Sequence, residues 1–283
     1  MLAIFKFIFL RMLGNSRKFS SVLERAHYYV ISSKFPGASQ EQYIDLLARF
    51  RPSNLDLPLR RFGRGSDGGY VLLDAISPNS VCISLGIADE MSFDEDLSPL
   101  VNHIYMFDYS ISFPPVILEN GSFHSLRVVP AITNDKREID VETIFGKINS
   151  LTSIVLKVDI EGSEWESFKD VSRDILMRCE QIVFEFHNIQ KLFEDKNYNA
   201  YLKFLDNSTE SHIVVNTHIN NWDSFEIIQG VPVPNVLEVT YVRKDLVEKY
   251  SGSRNSERLN YPNNPSRPEF LLYPFDRVLR SSN

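Results

Sequence analysis

Acidic side chains stand where two apolar runs of this sequence end. Val155-Leu156-Lys157-Val158 leads into Asp159, Glu161 and Gly162, and His103–Phe107 leads into Asp108. Asp159 and Glu161 are two residues apart, so an extended segment directs both to one face. Two carboxylates there can hold an ammonium, a metal ion or a substrate hydroxyl. Ser84-Leu85-Gly86-Ile87-Ala88-Asp89 puts a glycine at the end of a third apolar run, where backbone can approach a ligand closely. Asp108 follows Gly86 by roughly 20 residues, the spacing of an acid that accepts hydrogen bonds from ribose hydroxyls.

Histidines supply the remaining chemistry. His187 ends the run Gln181–His187, with Glu185 two residues earlier on the same face. His218 opens His218-Ile219-Asn220-Asn221 after another apolar run. An imidazole at a strand end can take a proton from an alcohol near neutral pH, which makes His187 the first candidate base and His218 the second. His27, His103, His124 and His212 lack such placement and read as structural or solvated. Asp159, Glu161, Glu185 and His187 also form a ligand set for Mg2+, ranked below a metal-free site. Trp165 reads as core, and Trp222, following two asparagines, reads as an acceptor contact.

These residues need a sheet to position them. Strand signals at Val81–Ile87, His103–Asp108, Leu126–Ile132, Ile154–Ile160, Gln181–His187, His212–Thr217 and Val236–Val242 alternate with helical segments. The helices include Ser92–Leu97 and Val141–Ile148, and one whose face carries Tyr198, Tyr201, Leu202 and Leu205. Capping boxes are expected at Ser92 with Glu95 and at Ser163 with Glu166. The link Ile219–Asn235 shows no helix, so the last two strands form a hairpin. The expected class is α/β, a Rossmann-like, mostly parallel seven-stranded sheet with helices on both faces and an antiparallel C-terminal edge hairpin. Residues 1–60 read as a helical extension, 61–250 as the catalytic domain and 251–283 as an extended tail that docks on it.

The chain has 283 residues, enough for one large domain, and a net charge of −7 disfavours nucleic acid as a partner. Its two cysteines, Cys82 and Cys179, have no CxxC spacing, which argues against a disulfide scaffold or zinc–thiolate site and for a reducing, cytoplasmic setting. Residues 1–13 are apolar but too short to span a bilayer. They either pack on the domain or contact a membrane surface peripherally. Oligomeric state leaves no mark on the sequence.

The glycine turn lacks GxGxxG and is followed by Asp89, Glu90, Asp94 and Glu95. Acids there repel a pyrophosphate, whereas a sulfonium and an ammonium suit them, so S-adenosylmethionine fits better than a dinucleotide. Leu156–Trp165 resembles the signature of the FkbM-type methyltransferase family. Ser84–Leu97, Tyr105–Asp108, Arg61–Tyr70 and His218–Tyr241 extend the likeness over roughly residues 60–245. The resemblance implies a class I methyltransferase fold and methyl transfer to oxygen, on a sugar, polysaccharide precursor or related small-molecule hydroxyl. It also implies that Gly86, Asp108 and Asp159 surround the cofactor, with Ile87, Ala88, Tyr109 and Glu161 beside them. Two other readings stay open: an NAD-dependent or nucleotide-sugar oxidoreductase, and a methyltransferase-like binding protein without turnover.

Overall fold

The computed structural model describes residues 29–32, 39–194, 196–223, 225–228, 231–252, 259–267 and 269. Its centre is a seven-stranded sheet. The strands in chain order are β1 (Val81–Leu85), β2 (His103–Phe107), β3 (Gly121–His124), β4 (Ile154–Val158), β5 (Cys179–Phe186), β6 (His212–Ile219) and β7 (Leu237–Arg243). In space they run β3-β2-β1-β4-β5-β7-β6. All are parallel except β7, which lies antiparallel between β5 and β6. The C-terminal hairpin is therefore present, with its second strand inserted beside β5.

Strands β1, β4 and β5 are buried along their whole length, as expected of parallel strands covered on both faces. Alternate residues serve two cores. Val81, Ile83, Leu85, Ile154, Leu156 and Val158 face one core with Phe168, Phe184 and Phe204. Cys82 and Val155 face the other with Phe62, Tyr70 and Phe93. The first face is covered by α1 (Gln40–Ala48), α3 (Val141–Gly146), α4 (Glu164–Phe168), α5 (Arg173–Met177) and α6 (Tyr198–Ser211). The second carries α2 (Ser92–Leu97).

An antiparallel ribbon, Leu59–Phe62 with Tyr70–Leu73, also crosses the second face. The Gln181 side chain accepts from the Leu73 N–H at 2.7 Å and donates to the Leu73 carbonyl at 2.9 Å. Thr240 donates to the Val71 carbonyl at 2.6 Å. Clamped at the start of β5, the ribbon carries Tyr70 toward that strand's other end.

Several expectations are corrected. The third strand is Gly121–His124, not Leu126–Ile132; as an edge strand its residues are only half-buried, so it shows little apolar signal. Arg127–Val128 instead pairs with Glu138–Ile139 in a two-residue ribbon. Tyr29–Ser32, inside the expected helical extension, is a strand parallel to Phe225–Ile228, as its Tyr-Val-Ile composition favours. Phe225–Ile228 pairs in turn with Val231–Pro234, so the Ile219–Asn235 link is itself a small hairpin. Neither expected capping box forms. Ser92 Oγ accepts from the Arg64 N–H, and Glu166 turns to Lys169, Asn197 and Tyr201. A capping box does form at Ser39 and Gln42, starting α1. Residues 1–13 and the docking segment 270–275 lie outside the described residues. No helix among the described residues is long and apolar enough to cross a membrane.

His212, at the start of β6, is fully buried between the Cys179 carbonyl and the Ser211 hydroxyl. Burial lowers its pKa from 6.5 to about 4. Between those values the unfolded chain binds a proton that the folded chain does not, so stability falls as pH falls through this window. Denaturant melts of the native chain and His212→Gln at pH 7 and pH 4 should show the native chain losing about 3 kcal/mol relative to the variant. A difference independent of pH would contradict the assignment.

Candidate active site

Open parallel sheets bind ligands beyond the carboxyl ends of their strands, at the point where strand order reverses. Here that point lies between β1 and β4. Gly86 leaves β1 and Asp159 leaves β4, and Asp108 leaves the neighbouring strand β2. The three residues expected around one ligand are thus at the ends of adjacent strands.

The turn after β1 is tightly determined. Gly86 has φ +78°, and a Cβ on it would lie 1.6 Å from the Asp159 carbonyl oxygen. Ala88 also adopts a positive φ, 42°. Between these two residues the Ile87 and Ala88 N–H groups converge on one point, an anion-binding concavity. The anion is supplied internally: Asp108 Oδ2 accepts from Ile87 at 2.9 Å and from Ala88 at 2.8 Å. Asp108 Oδ1 accepts from the Ser110 N–H at 2.7 Å and its hydroxyl at 2.6 Å. Burial pushes the Asp108 pKa up, but the Ser110, Ala88 and Ile87 hydrogen bonds outweigh it and hold the group below the ordinary carboxylate range. Each Asp108 carboxylate oxygen thus accepts two hydrogen bonds from the chain itself. Tyr109, next in the chain, is 65% exposed.

The acids that follow the turn are partly spent. Glu90 pairs with Arg64, and Asp94 is fully buried, its pKa raised by desolvation against the attraction of Lys157. The negative rim comes instead from β4 and β5. Lys157 is buried beneath it, with Nζ against the Gly86 carbonyl, 3.5 Å from Asp159 Oδ2 and 5.4 Å from the centre of the Tyr70 ring.

Tyr70 Oη lies 2.9 Å from Asp159 Oδ2 and 3.0 Å from Glu185 Oε2. One phenolic proton serves only one of them, so the second bond needs a proton on a carboxyl. Glu185 meets that need: burial and then the charges of Asp159 and Glu238 raise its pKa far above the usual range. The Asn220 amide donates to its other oxygen at 2.8 Å. A hydrogen-bonded chain Glu185–Tyr70–Asp159 results, and it ends at the rim, where the Asp159 side chain is 24% exposed.

His187 stands beside this chain. Its Nδ1 lies 3.2 Å from Glu164 Oε1 and 3.1 Å from the Glu185 carbonyl. Both are acceptors, so Nδ1 carries a hydrogen and Nε2 faces the rim, 3.5 Å from Glu161 Oε2 and 3.7 Å from Glu185 Oε1. Glu164 is fully buried, and the Ile160 and Gly162 N–H groups also donate to it. Burial alone would lower the His187 pKa, but Glu164, Glu185 and Asp159 together raise it to about 10. In the free chain His187 is an imidazolium.

His218 is placed differently. It is buried between Glu238 at 3.1 Å and Glu269 at 2.7 Å, and these carboxylates overcome burial to raise its pKa to about 9. Asn263 donates to Glu238 at 2.5 Å and to Asp67 at 3.2 Å. His218 thus ties the C-terminal segment to β7. Trp165 is buried, stacked on Phe186 at 4.5 Å, and Trp222 is 49% exposed with Arg267 over its ring.

Sequence reasoning missed Tyr70, Glu164 and Lys157 as site members. Lys157 carried a signal, being a lone cation in an apolar strand. Tyr70 and Glu164 stand in the stretches that carry the family resemblance, but their place in the site depends on the ribbon crossing the sheet and on the fold of the turn after β4.

No family model matches this chain, and no curated protein matches it. Among solved structures it is similar to an rRNA methylase from Streptococcus thermophilus, at 10% identity, covering 59% of this chain and 89% of that one, with a TM-score of 0.34. It is also similar to a precorrin-6y C5,15-methyltransferase from Geobacter metallireducens, at 10% identity, 78% and 97% coverage and a TM-score of 0.33. A spermidine synthase from Thermotoga maritima gives 11% identity, 82% and 86% coverage and a TM-score of 0.33. These likenesses are remote, and the site stands on this chain's own geometry.

Two outcomes follow. Gly86→Ala should lower stability by about 2 kcal/mol or more in denaturant melts, because its Cβ meets backbone and its φ is unfavourable; a native midpoint would contradict the packing. In NMR titrations of the free chain, the His187 ring should stay protonated past pH 8. Its pKa should drop by at least about one unit in Glu164→Gln. Titration of the native ring near 6.5 would contradict the assigned hydrogen bonds.

Proposed function

We propose that the chain is an S-adenosylmethionine-dependent methyltransferase of the FkbM type, acting on a hydroxyl of a sugar or related small molecule. One observation carries the choice of cofactor. The concavity at Gly86–Ala88, where a dinucleotide's pyrophosphate would sit, is filled by Asp108, while the adjoining rim presents Asp159 and Glu161. Such a crevice repels phosphate and attracts a cationic ligand.

The residues present fit that cofactor. Gly86 leaves room where a side chain would collide with the Asp159 backbone. Asp108 can exchange the Ser110 hydroxyl for a ribose hydroxyl, a short rotation of one side chain. Tyr109 offers an aromatic face beside it for a flat ring. When bound, S-adenosylmethionine supplies an electrophilic methyl group on a sulfonium, whose sulfur keeps the bonding pair as a neutral thioether.

The chain's own residues then align the acceptor and take its proton. Asp159, at the end of the Glu185–Tyr70 chain, receives the hydroxyl proton as the acceptor oxygen bonds to the methyl carbon. His187, held by Glu164, directs a hydrogen bond donor at the same region. The FkbM assignment and the oxygen acceptor rest on the resemblance of Leu156–Trp165, and a net charge of −7 disfavours nucleic acid as the acceptor. Trp222 is the aromatic nearest Asn220 and Asn221 in the chain, and we assign it to the acceptor.

Calorimetry tests this reading. S-adenosylhomocysteine should bind the full chain at one site and NAD+ should not, and Asp159→Asn should weaken S-adenosylhomocysteine by about 10- to 100-fold. Binding of NAD+ in its place would favour an oxidoreductase. Binding of neither would remove the enzyme assignment.

A further inference from the structure

Asp159, Glu161 and His187 each offer one ligand atom, and these atoms lie within 4.8 Å of one another. From this juxtaposition, we propose that the rim holds a divalent cation of the Mn2+ or Mg2+ type, bound by Asp159, Glu161 and the Nε2 of His187. The proposal rests on the methyltransferase reading for its purpose, since a cation there would fix an acceptor oxygen beside the crevice and replace the hydrogen bond donor that His187 offers in the ion-free chain; the binding itself does not depend on it.

Three features carry it. The donor set is mixed: two carboxylates from the turn after β4 and one imidazole from the end of β5, brought together by strand pairing. Carboxylate oxygens with one imidazole suit Mn2+, and an octahedral ion held by these residues alone would keep positions for substrate and water. Next, the imidazole is oriented before any ion arrives. Glu164 and the Glu185 carbonyl accept from Nδ1, so Nε2 is the nitrogen that faces the two acids, and it becomes a ligand when the ion displaces its proton. A carboxylate behind a metal-binding histidine is the usual means of aiming it, and here that carboxylate is fully buried and anchored by two backbone N–H groups.

The third feature is freedom to close. Nε2 and Glu161 Oε2 are 3.5 Å apart, while ligands about 2.1 Å from an ion stand roughly 3 Å apart. Glu161 is the exposed member, its side chain 87% accessible, so it can move in to complete the set. Asp159 and His187 are the fixed members. Tyr70 holds the first and Glu164 the second.

Electron paramagnetic resonance of Mn2+ tests this directly on the full chain stripped with chelator. Titration should show one saturable site, and pulsed spectra should show nitrogen coupling from an imidazole. Glu161→Gln and His187→Gln should each weaken Mn2+ by at least about tenfold, and the nitrogen signal should vanish in the second. Glu164→Gln, a positioning change, should weaken it by about 10- to 100-fold without removing a ligand. Calorimetry with S-adenosylhomocysteine on the same samples keeps the two readings apart. Native binding of S-adenosylhomocysteine with no saturable Mn2+ overturns the cation site alone. Mn2+ bound equally by the native chain and Glu161→Gln overturns it as well, by showing diffuse attraction to acids. Saturable, imidazole-coordinated Mn2+ upholds the site even where S-adenosylhomocysteine fails to bind and the proposed function falls.

Discussion

The site depends on a backbone contact. Gly86 lies against the Asp159 carbonyl so closely that no other residue fits without moving one of two adjacent strands. That contact sets how the chain leaves β1 and β4, and hence where the crevice at the strand-order reversal opens. Asp108 then secures the turn from the other side by accepting both convergent N–H groups. A glycine, a backbone carbonyl and a carboxylate on three neighbouring strands therefore define one wall of the site before any ligand is considered. The arrangement also selects among ligands, because its anion-binding concavity is already occupied by the chain's own anion.

The opposite wall is a problem in proton counting. Asp159, Glu185 and Glu161 crowd one rim, and the buried Glu164 lies behind them. Buried like charges are costly unless protonated or paired. The fold meets that cost in two ways. Glu185 keeps a proton and passes the hydrogen-bonding role through Tyr70 to Asp159, and His187 is charged between carboxylates. The same logic recurs nearby, where His218 is gripped by Glu238 and Glu269 and Asn263 bridges Asp67 to Glu238. His187 and Lys157 offset part of the rim's charge in the free chain, and a cationic ligand or metal ion would offset more.

Much of this was legible in the sequence, for a physical reason. Parallel strands inside the sheet read as apolar runs, so β1, β2, β4 and β5 stood out, and with them Gly86, Asp108, Asp159 and His187 at their ends; the edge strand β6 and the antiparallel β7 were legible from their β-branched residues. Gly121–His124 did not stand out, because an edge strand need not be apolar. The acidic turn after Gly86 misled in part: counting charges could not reveal that Arg64 pairs with Glu90 or that Asp94 is buried. The roles of Tyr70 and Glu269 were hidden for another reason: each lies on a segment whose path over the sheet is set by long-range contacts such as Gln181 with Leu73 and Asn221 with Asn264. Glu164 depends instead on the local turn after β4, where the Ile160 and Gly162 N–H groups donate to it.

The central claim is that the crevice between β1 and β4 receives a cationic adenosine ligand. A crystal structure of the chain grown with S-adenosylhomocysteine measures this most directly. The account predicts the thioether sulfur between Gly86 and Asp159, with the ribose on Asp108 in place of the Ser110 hydroxyl. A ligand bound elsewhere on the chain, with the Asp108–Ser110 bond intact and the crevice filled only by water, would contradict it.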